Sequence, residues 1–123
     1  MVMPQDFPKY GEIYAVDFDP VMGDEIGNIR PALIISNNLS NRYSSTVTLL
    51  PITSQPARKD YPFEVALPRG TAGLVRDSRV KANQIRTVDR RRLKRFIGLL
   101  PPEYLPRVQR ALRVHLDLAD TEP

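Results

Sequence analysis

Hydrophobic positions fall into short runs separated by Pro, Gly, Asn and Ser. Two runs are apolar almost throughout, Arg30 to Ser36 (RPALIIS) and Thr46 to Ile52 (TVTLLPI). β-Branched and aliphatic residues between turn-formers predict strands, and the lack of strict alternation predicts strands covered on both faces. If the two pair antiparallel, Arg30 at the start of one comes beside Thr53 at the end of the other, at one rim of the sheet. Gly11 to Phe18 (GEIYAVDF) alternates imperfectly and predicts a first strand, with Tyr14 as a packing residue. Phe63 to Leu67 predicts another. Asp77 to Ala82 and Gln84 to Val88 continue the β pattern, with Val80, Ala82, Ile85 and Val88 inward and an interruption near Asn83. Phe96 to Leu100 predicts the last strand. Helical spacing appears at Leu105, Val108, Leu112 and Leu116, an apolar stripe to lie against the sheet. Pro106 lacks a donor, so the regular helix is expected to begin there, with Arg107, Arg110 and Arg113 on the other side.

The connections are polar. Residues 19–29 (DPVMGDEIGNI) predict a long, mobile hairpin loop, in which Asp24 reads as a solvated charge while Glu25 lies close in sequence to Arg30. Residues 37–45 (NNLSNRYSS) carry Leu39 and Tyr43 at helical spacing and predict a short helical turn. Residues 55–61 form a loop, and Gly70 and Gly73 flank a turn. Asp89 is placed to cap a short helix over RRRLKR, whose cations are either a solvated face or a contact for phosphate or an acidic peptide. Residues 1–9 have two prolines and no periodicity and predict a loosely held arm.

Composition narrows the classes. A chain of 123 residues with 41% hydrophobic content suits one domain with its own core. There is no cysteine, so neither disulfides nor thiolate metal sites are available. No apolar run approaches the roughly 20 residues of a membrane span, and the first residues lack a signal-peptide pattern. The expected setting is the cytoplasm. Eighteen Lys and Arg against fourteen Asp and Glu leave a formal +4, which favours a polyanion or an acidic protein as partner.

No dinucleotide fingerprint, phosphate-binding P-loop, HExxH or nucleophile elbow is present. The single histidine, His115, lies beside the helical stripe and reads as a packing or surface residue, so no metal and no cofactor is expected. RNA cleavage suits such a residue set. The 2′-hydroxyl is the substrate's own nucleophile, and the protein need supply only a base, cations for the developing phosphorane charge, and a proton for the leaving oxygen. Arg30 has the bidentate charge for the phosphate and Thr53 a hydroxyl to orient it. Their structural alternatives are a strand-end ion pair, with Glu25, and a β-branched strand terminus.

The pieces GEIYAVDFDPVMGDEIGNIRPALIISNN, TVTLLPITS, YPFEVAL, GL and QIRTVDRRRL occur in the order and spacing of the MazF/PemK family of toxin endoribonucleases, which the chain resembles from about Gly11 to the last helix. The resemblance implies a mainly β fold, an SH3-like β-barrel of the CcdB/PemK type with short helices and a C-terminal helix on the sheet. It also implies a homodimer whose groove binds single-stranded RNA. Members cleave mRNA at short motifs without metal, leaving a 2′,3′-cyclic phosphate and a 5′-hydroxyl, and an acidic cognate antitoxin holds them inactive; DNA contact by the toxin alone is not expected. Catalytic roles carry onto Arg30 and Thr53, and Glu25 matches a loop position implicated in catalysis. Expected RNA contacts are Asn28, Ser36, Asn38, Ser54, Lys81, Asn83, Gln84 and Arg86.

The chain departs from some members at two points. Ile29 stands where they place a histidine, and Asn83 where they place an aspartate, so neither supplies an acid or anionic base here. Arginine is a poor proton donor, which leaves Glu25 as the candidate base. Two other readings remain: a catalytically silent module that docks an acidic peptide, and a poison of DNA gyrase. The second is disfavoured, because members of that related family use a C-terminal tryptophan and this chain has no Trp and ends DLADTEP.

Overall fold

The computed structural model describes residues 6–56 and 59–119. Among these residues seven strands and two α-helices occur: β1 (Glu12–Asp17), β2 (Ile29–Ile34), α1 (Asn38–Tyr43), β3 (Thr46–Thr53), β4 (Glu64–Leu67), β5 (Ser78–Lys81), β6 (Arg86–Asp89), β7 (Leu93–Leu99) and α2 (Leu105–Leu116). The strands pair antiparallel in the order β4-β5-β3-β2-β1-β7, and β6 pairs with β3 as well. The expected mainly β fold with a C-terminal helix is what is found.

The two apolar runs are the central strands, with core on both faces. One core gathers Ile13, Leu33, Leu50, Ile52, Val65, Leu67 and Val80 with Val108 and Ala111 of α2. The other holds Val16, Phe18, Ala32, Ile34, Val47, Leu49 and Val88. Each side chain of this size that is fully buried contributes about 1.5–3 kcal/mol before entropy is subtracted, which is why these two strands tolerate no alternation. Yet both contain a proline, unusual for central strands because proline cannot donate to a ladder. The β2–β3 register runs Ile34↔Leu49, Leu33↔Leu50, Ala32↔Pro51 and stops there. Past Pro51, β3 turns to β5, pairing Ile52 with Val80 and Thr53 with Arg79. The prolines thus end the ladder two residues short of the rim.

Several elements differ from expectation. RRRLKR is not a helix: Arg90–Arg92 make one 3₁₀ turn, and Leu93 already pairs with Val16, so β7 starts three residues earlier than predicted. Packed cations disfavour a helical continuation, while Leu93 packs against the second core. The cap itself is real, since Asp89 Oδ1 accepts from the Arg91 amide at 2.8 Å. Gln84 belongs to a 3₁₀ turn, Ala82–Gln84, not to a strand. On α2, which begins at Leu105, one residue before Pro106, the inward line is Val108 and Ala111 flanked by Leu105 and Leu112. Leu116 is 44% exposed, because the helix runs past the sheet and ends one residue later at Asp117 in the left-handed region. His115 is exposed. Of the predicted arm, residues 1–5 lie outside the described residues. Residues 6–9 are fastened, with Pro8 buried and the Lys9 amide donating to Glu12 at 2.7 Å. At Gly98 a Cβ would lie 2.1 Å from the Ala72 carbonyl oxygen, so the turn at 71–73 rests directly on β7.

Candidate active site

The β1–β2 register, Val16↔Arg30 and Ala15↔Pro31, fixes Arg30 on β2, two residues beyond the last β2–β3 pair, and Thr53 closes β3 opposite Arg79 of β5. Their strand neighbours Pro31 and Ile52 line one hollow with Arg30 at this rim. Thr53 is 6% exposed, and its hydroxyl oxygen accepts from the Gln55 amide at 3.1 Å, which fixes its orientation where β3 leaves β2. Arg30 Nε donates to the Gly27 carbonyl at 2.8 Å, holding the guanidinium against the base of the β1–β2 loop.

The rim is flanked by two hollows. One, of about 240 Å³, is lined by Ile29, Arg30, Pro31, Ile52, Ser54 and Arg76 among others. Two guanidinium-bearing residues in one small hollow repel each other unless an anion lies between them. The other, of about 330 Å³, is lined by Phe18, Glu25, Ile26, Pro51, Asn83, Gln84, Ile85 and Arg86. Here Arg86 lies over the Phe18 ring, 5.7 Å from its centroid, and donates to the Phe18 carbonyl at 2.9 Å. Gln84 Oε1 accepts from the Ile26 amide at 3.4 Å. Asn83 differs from its neighbours: its Oδ1 is buried without a hydrogen-bond partner among the described residues. Such an acceptor costs about 1–3 kcal/mol unless a ligand satisfies it.

The loop between β1 and β2 was expected to be mobile, and it is held at many points. Glu25 Oε1 accepts from the Met22 amide at 2.6 Å, closing a turn at the loop tip. At its base Asp19 Oδ1 accepts from the amide of Asn28, a residue with φ of 64°. Arg92 donates to the carbonyls of Asp17 and Asp19. A Cβ at Gly27 would approach Asp19 Oδ1 to 2.8 Å, so the glycine is required by that closure.

Among the predicted RNA contacts, Asn83, Gln84 and Arg86 gather with Glu25 in the larger hollow, and Ser54 joins Arg30 in the smaller. Asn28 sits at the loop base. The others lie elsewhere. Ser36 and Asn38 are at the opposite end of β2, where Ser36 bonds Asn41 and accepts from the Thr48 amide, and Asn38 accepts from the Tyr10 amide at 2.7 Å. Lys81 pairs with Glu64 at 2.6 Å, and Arg79 pairs with the other oxygen of the same carboxylate. Glu64 is 5% exposed at its side chain; burial pushes its carboxyl up, but the hydrogen bonds from Lys81 and Arg79 outweigh this and hold it below the usual range. Arg76 was missed by the sequence reading. It sits in an irregular turn with no motif around it, and only the fold brings it to Arg30.

A mainly β sheet with a cationic hollow at Arg30 and Arg76 beside a polar one at Asn83, Gln84 and Arg86 is able to hold a phosphate and an adjoining polar group, as a small nuclease requires. The family model described as "PemK-like, MazF-like toxin of type II toxin-antitoxin system" matches residues 9–116. The chain is 42% identical to endoribonuclease MazF9 of Mycobacterium tuberculosis, covering 89% of this chain and 97% of that protein. It is 38% identical to endoribonuclease EndoA of Bacillus subtilis, covering 91% and 97%. Among solved structures, MazF from Deinococcus radiodurans superimposes with a TM-score of 0.77 at 32% identity, covering 90% of this chain and 97% of that one. An endoribonuclease solved in complex with its cognate antitoxin, from a mycobacterial species, gives 0.76 at 26% identity, covering 92% and 98%. The chain belongs to the PemK-like, MazF-like family of type II toxin-antitoxin systems and is an endoribonuclease toxin.

Proposed function

We propose that this toxin cuts single-stranded mRNA at a short motif by attack of the RNA's own 2′-hydroxyl, with Arg30, Thr53 and Glu25 as the reacting shell. The observation that carries the reading is the unpartnered buried Oδ1 of Asn83 beside Gln84 and Arg86. It asks for a ligand with an N–H donor, and unpaired nucleobases offer amino and imino donors on their edges. The hollow at Arg30 and Arg76 then takes the phosphate next to that base.

Glu25 removes the 2′-hydroxyl proton, the 2′-oxygen bonds to phosphorus, and the bond from phosphorus to the 5′-oxygen breaks, with a proton reaching that oxygen from water in the open cleft. Arg30 and Arg76 stabilise charge on the non-bridging oxygens, and Thr53 orients the phosphate. The products are a 2′,3′-cyclic phosphate and a 5′-hydroxyl. No step calls for a metal or cofactor.

The chain acts as a single toxin domain in the cytoplasm and as a homodimer. One relative is solved in complex with its cognate antitoxin; for this chain an acidic antitoxin segment competes with RNA for the same cationic rim, so competition weakens as salt rises. Among the described residues no helix is long and apolar enough to cross a membrane.

The test is cleavage of a long unstructured RNA in excess EDTA, with Arg30→Ala alongside and product ends read by mass spectrometry. Discrete cuts with cyclic phosphate ends are expected, reduced about 10²- to 10³-fold in the variant. Ends carrying 3′-hydroxyl and 5′-phosphate, or no cuts across a sequence-diverse RNA, would overturn the mechanism.

A further inference from the structure

A larger groove than either hollow at the rim lies elsewhere on the molecule. It measures about 640 Å³, and none of the residues placed in the reacting shell lines it. Its floor is a sheet face, where Tyr14 of β1 and Phe96 of β7 are cross-strand partners whose rings meet edge to face at 5.6 Å. Phe96 is 52% exposed. Arg90, Lys94 and Arg95 form a cationic border, and the segment at Lys9 makes the other wall, with its ammonium 4.5 Å from the Phe7 ring centroid.

Two acids line the groove, Asp6 and Glu12, and Glu12 is turned inward. Glu12 Oε1 accepts from the Lys9 amide and from the Tyr14 hydroxyl at 3.1 Å, so it braces the wall against the strand. Burial, and then Glu12, push the Tyr14 phenol up to about 12, which keeps it a neutral donor. The groove therefore offers the exposed Phe96 ring beside the half-buried Tyr14 ring, edged by Lys9, Arg90, Arg91, Lys94 and Arg95 against the one further carboxylate of Asp6.

We infer that this groove is a second contact for single-stranded RNA, holding a stretch of substrate outside the cut site. The inference rests on the reading of the chain as an RNA-cleaving enzyme and extends it. Sheet-face aromatics bordered by Lys and Arg suit unpaired bases, because every base has a π-face and every linkage a charge. An extended acidic peptide fits less well. β7 is the last strand of the sheet order, so a peptide main chain would pair along its edge and leave the Tyr14 and Phe96 rings on the face unused. The geometry also connects groove to site. Arg86, in the cleft with Asn83, begins β6, and Arg90, in the groove, follows its last residue. Four residues of strand separate the two by about 13 Å, a distance that a few nucleotides span.

The experiment compares two RNAs, a short one trimmed around a mapped cut and one extended ten nucleotides on both sides. Wild type, Phe96→Ala and the double variant Lys94→Glu with Arg95→Glu are assayed on each. On the short RNA kcat/KM is expected to stay within about twofold, and on the long RNA to fall about tenfold in both variants. The slope of log affinity against log salt should shrink by about 1.4 in the double variant, from two phosphate contacts at roughly 0.7 each. Equal activity of wild type and variants on the long RNA overturns the inference. So does a double variant that elutes at half the wild-type size, which would make this face an interface between copies. Loss of binding to a poly-glutamate peptide with the long-RNA advantage intact also overturns it. Should wild type cut no RNA at all, the cleavage reading fails on its own. Fluorescence anisotropy with a uridine 20-mer then decides the groove: weaker binding by the variants supports it, and equal binding overturns it.

Discussion

At the end of the β2–β3 pair where α1 begins, polar side chains satisfy one another completely. Asn41, fully buried, accepts from Ser36 through Oδ1 and donates to the Ser36 carbonyl at 2.8 Å, while Ser36 accepts from the Thr48 amide at 3.0 Å. At the opposite end, the side chains of Arg30, Gln84 and Arg86 hold backbone groups of the β1–β2 loop and the end of β1, and the Asn83 acceptor has no partner among the described residues. The residue types are alike, and the difference lies in whether their hydrogen bonding is closed. A closed network fixes structure and leaves nothing to offer a ligand. An open one lowers stability locally and is what a binding site requires.

The contrast can be broken in three ways. The largest expected effect is at the open end: Glu25→Gln should reduce single-turnover cleavage about 10²-fold or more with an unchanged thermal midpoint, because Glu25 is exposed. An unchanged rate would remove Glu25 from the chemistry. Next, the two asparagines should respond oppositely. Asn41→Ala should cost about 2–3 kcal/mol in urea unfolding, since it orphans the groups it serves, yet leave the folded protein's cleavage rate intact. Asn83→Leu should be neutral or slightly stabilising and should weaken RNA binding. If both lose stability equally, the distinction between closed and open ends fails. The smallest effect concerns acid. Glu64 titrates below the ordinary value of 4.5 when folded, so its contribution is fully present above that pH and is lost as pH falls through the folded value. Wild type should therefore lose more stability between pH 5 and 3 than Glu64→Gln does, although the variant is weaker by about 2 kcal/mol at pH 7.

The same contrast explains what was legible in the sequence. The central strands could be read because an apolar run has one outcome, burial, and their antiparallel pairing is found as the sequence suggests. Ser36 and Asn38 could not be separated from Asn83 and Gln84 by type, since only the fold decides which polar groups meet a partner. Lys81 is likewise close in sequence to Asn83 and Gln84, but Glu64 on the neighbouring strand pairs with it. Arg76 had no pattern at all. In RRRLKR a capping aspartate is compatible with either a helix or a single turn, and it closes a single turn before Leu93 returns to the sheet.

Gly98 carries a consequence of a different kind. Because the Ala72 carbonyl occupies the place of its side chain, even alanine at this position forces β7 and the turn apart. A gene whose product halts growth is readily selected for loss of function, and survivors are scored without regard to cause. Alleles at Gly98 belong among those survivors alongside alleles at Arg30, and protein abundance, not position in a list of survivors, separates a collapsed scaffold from a disarmed enzyme.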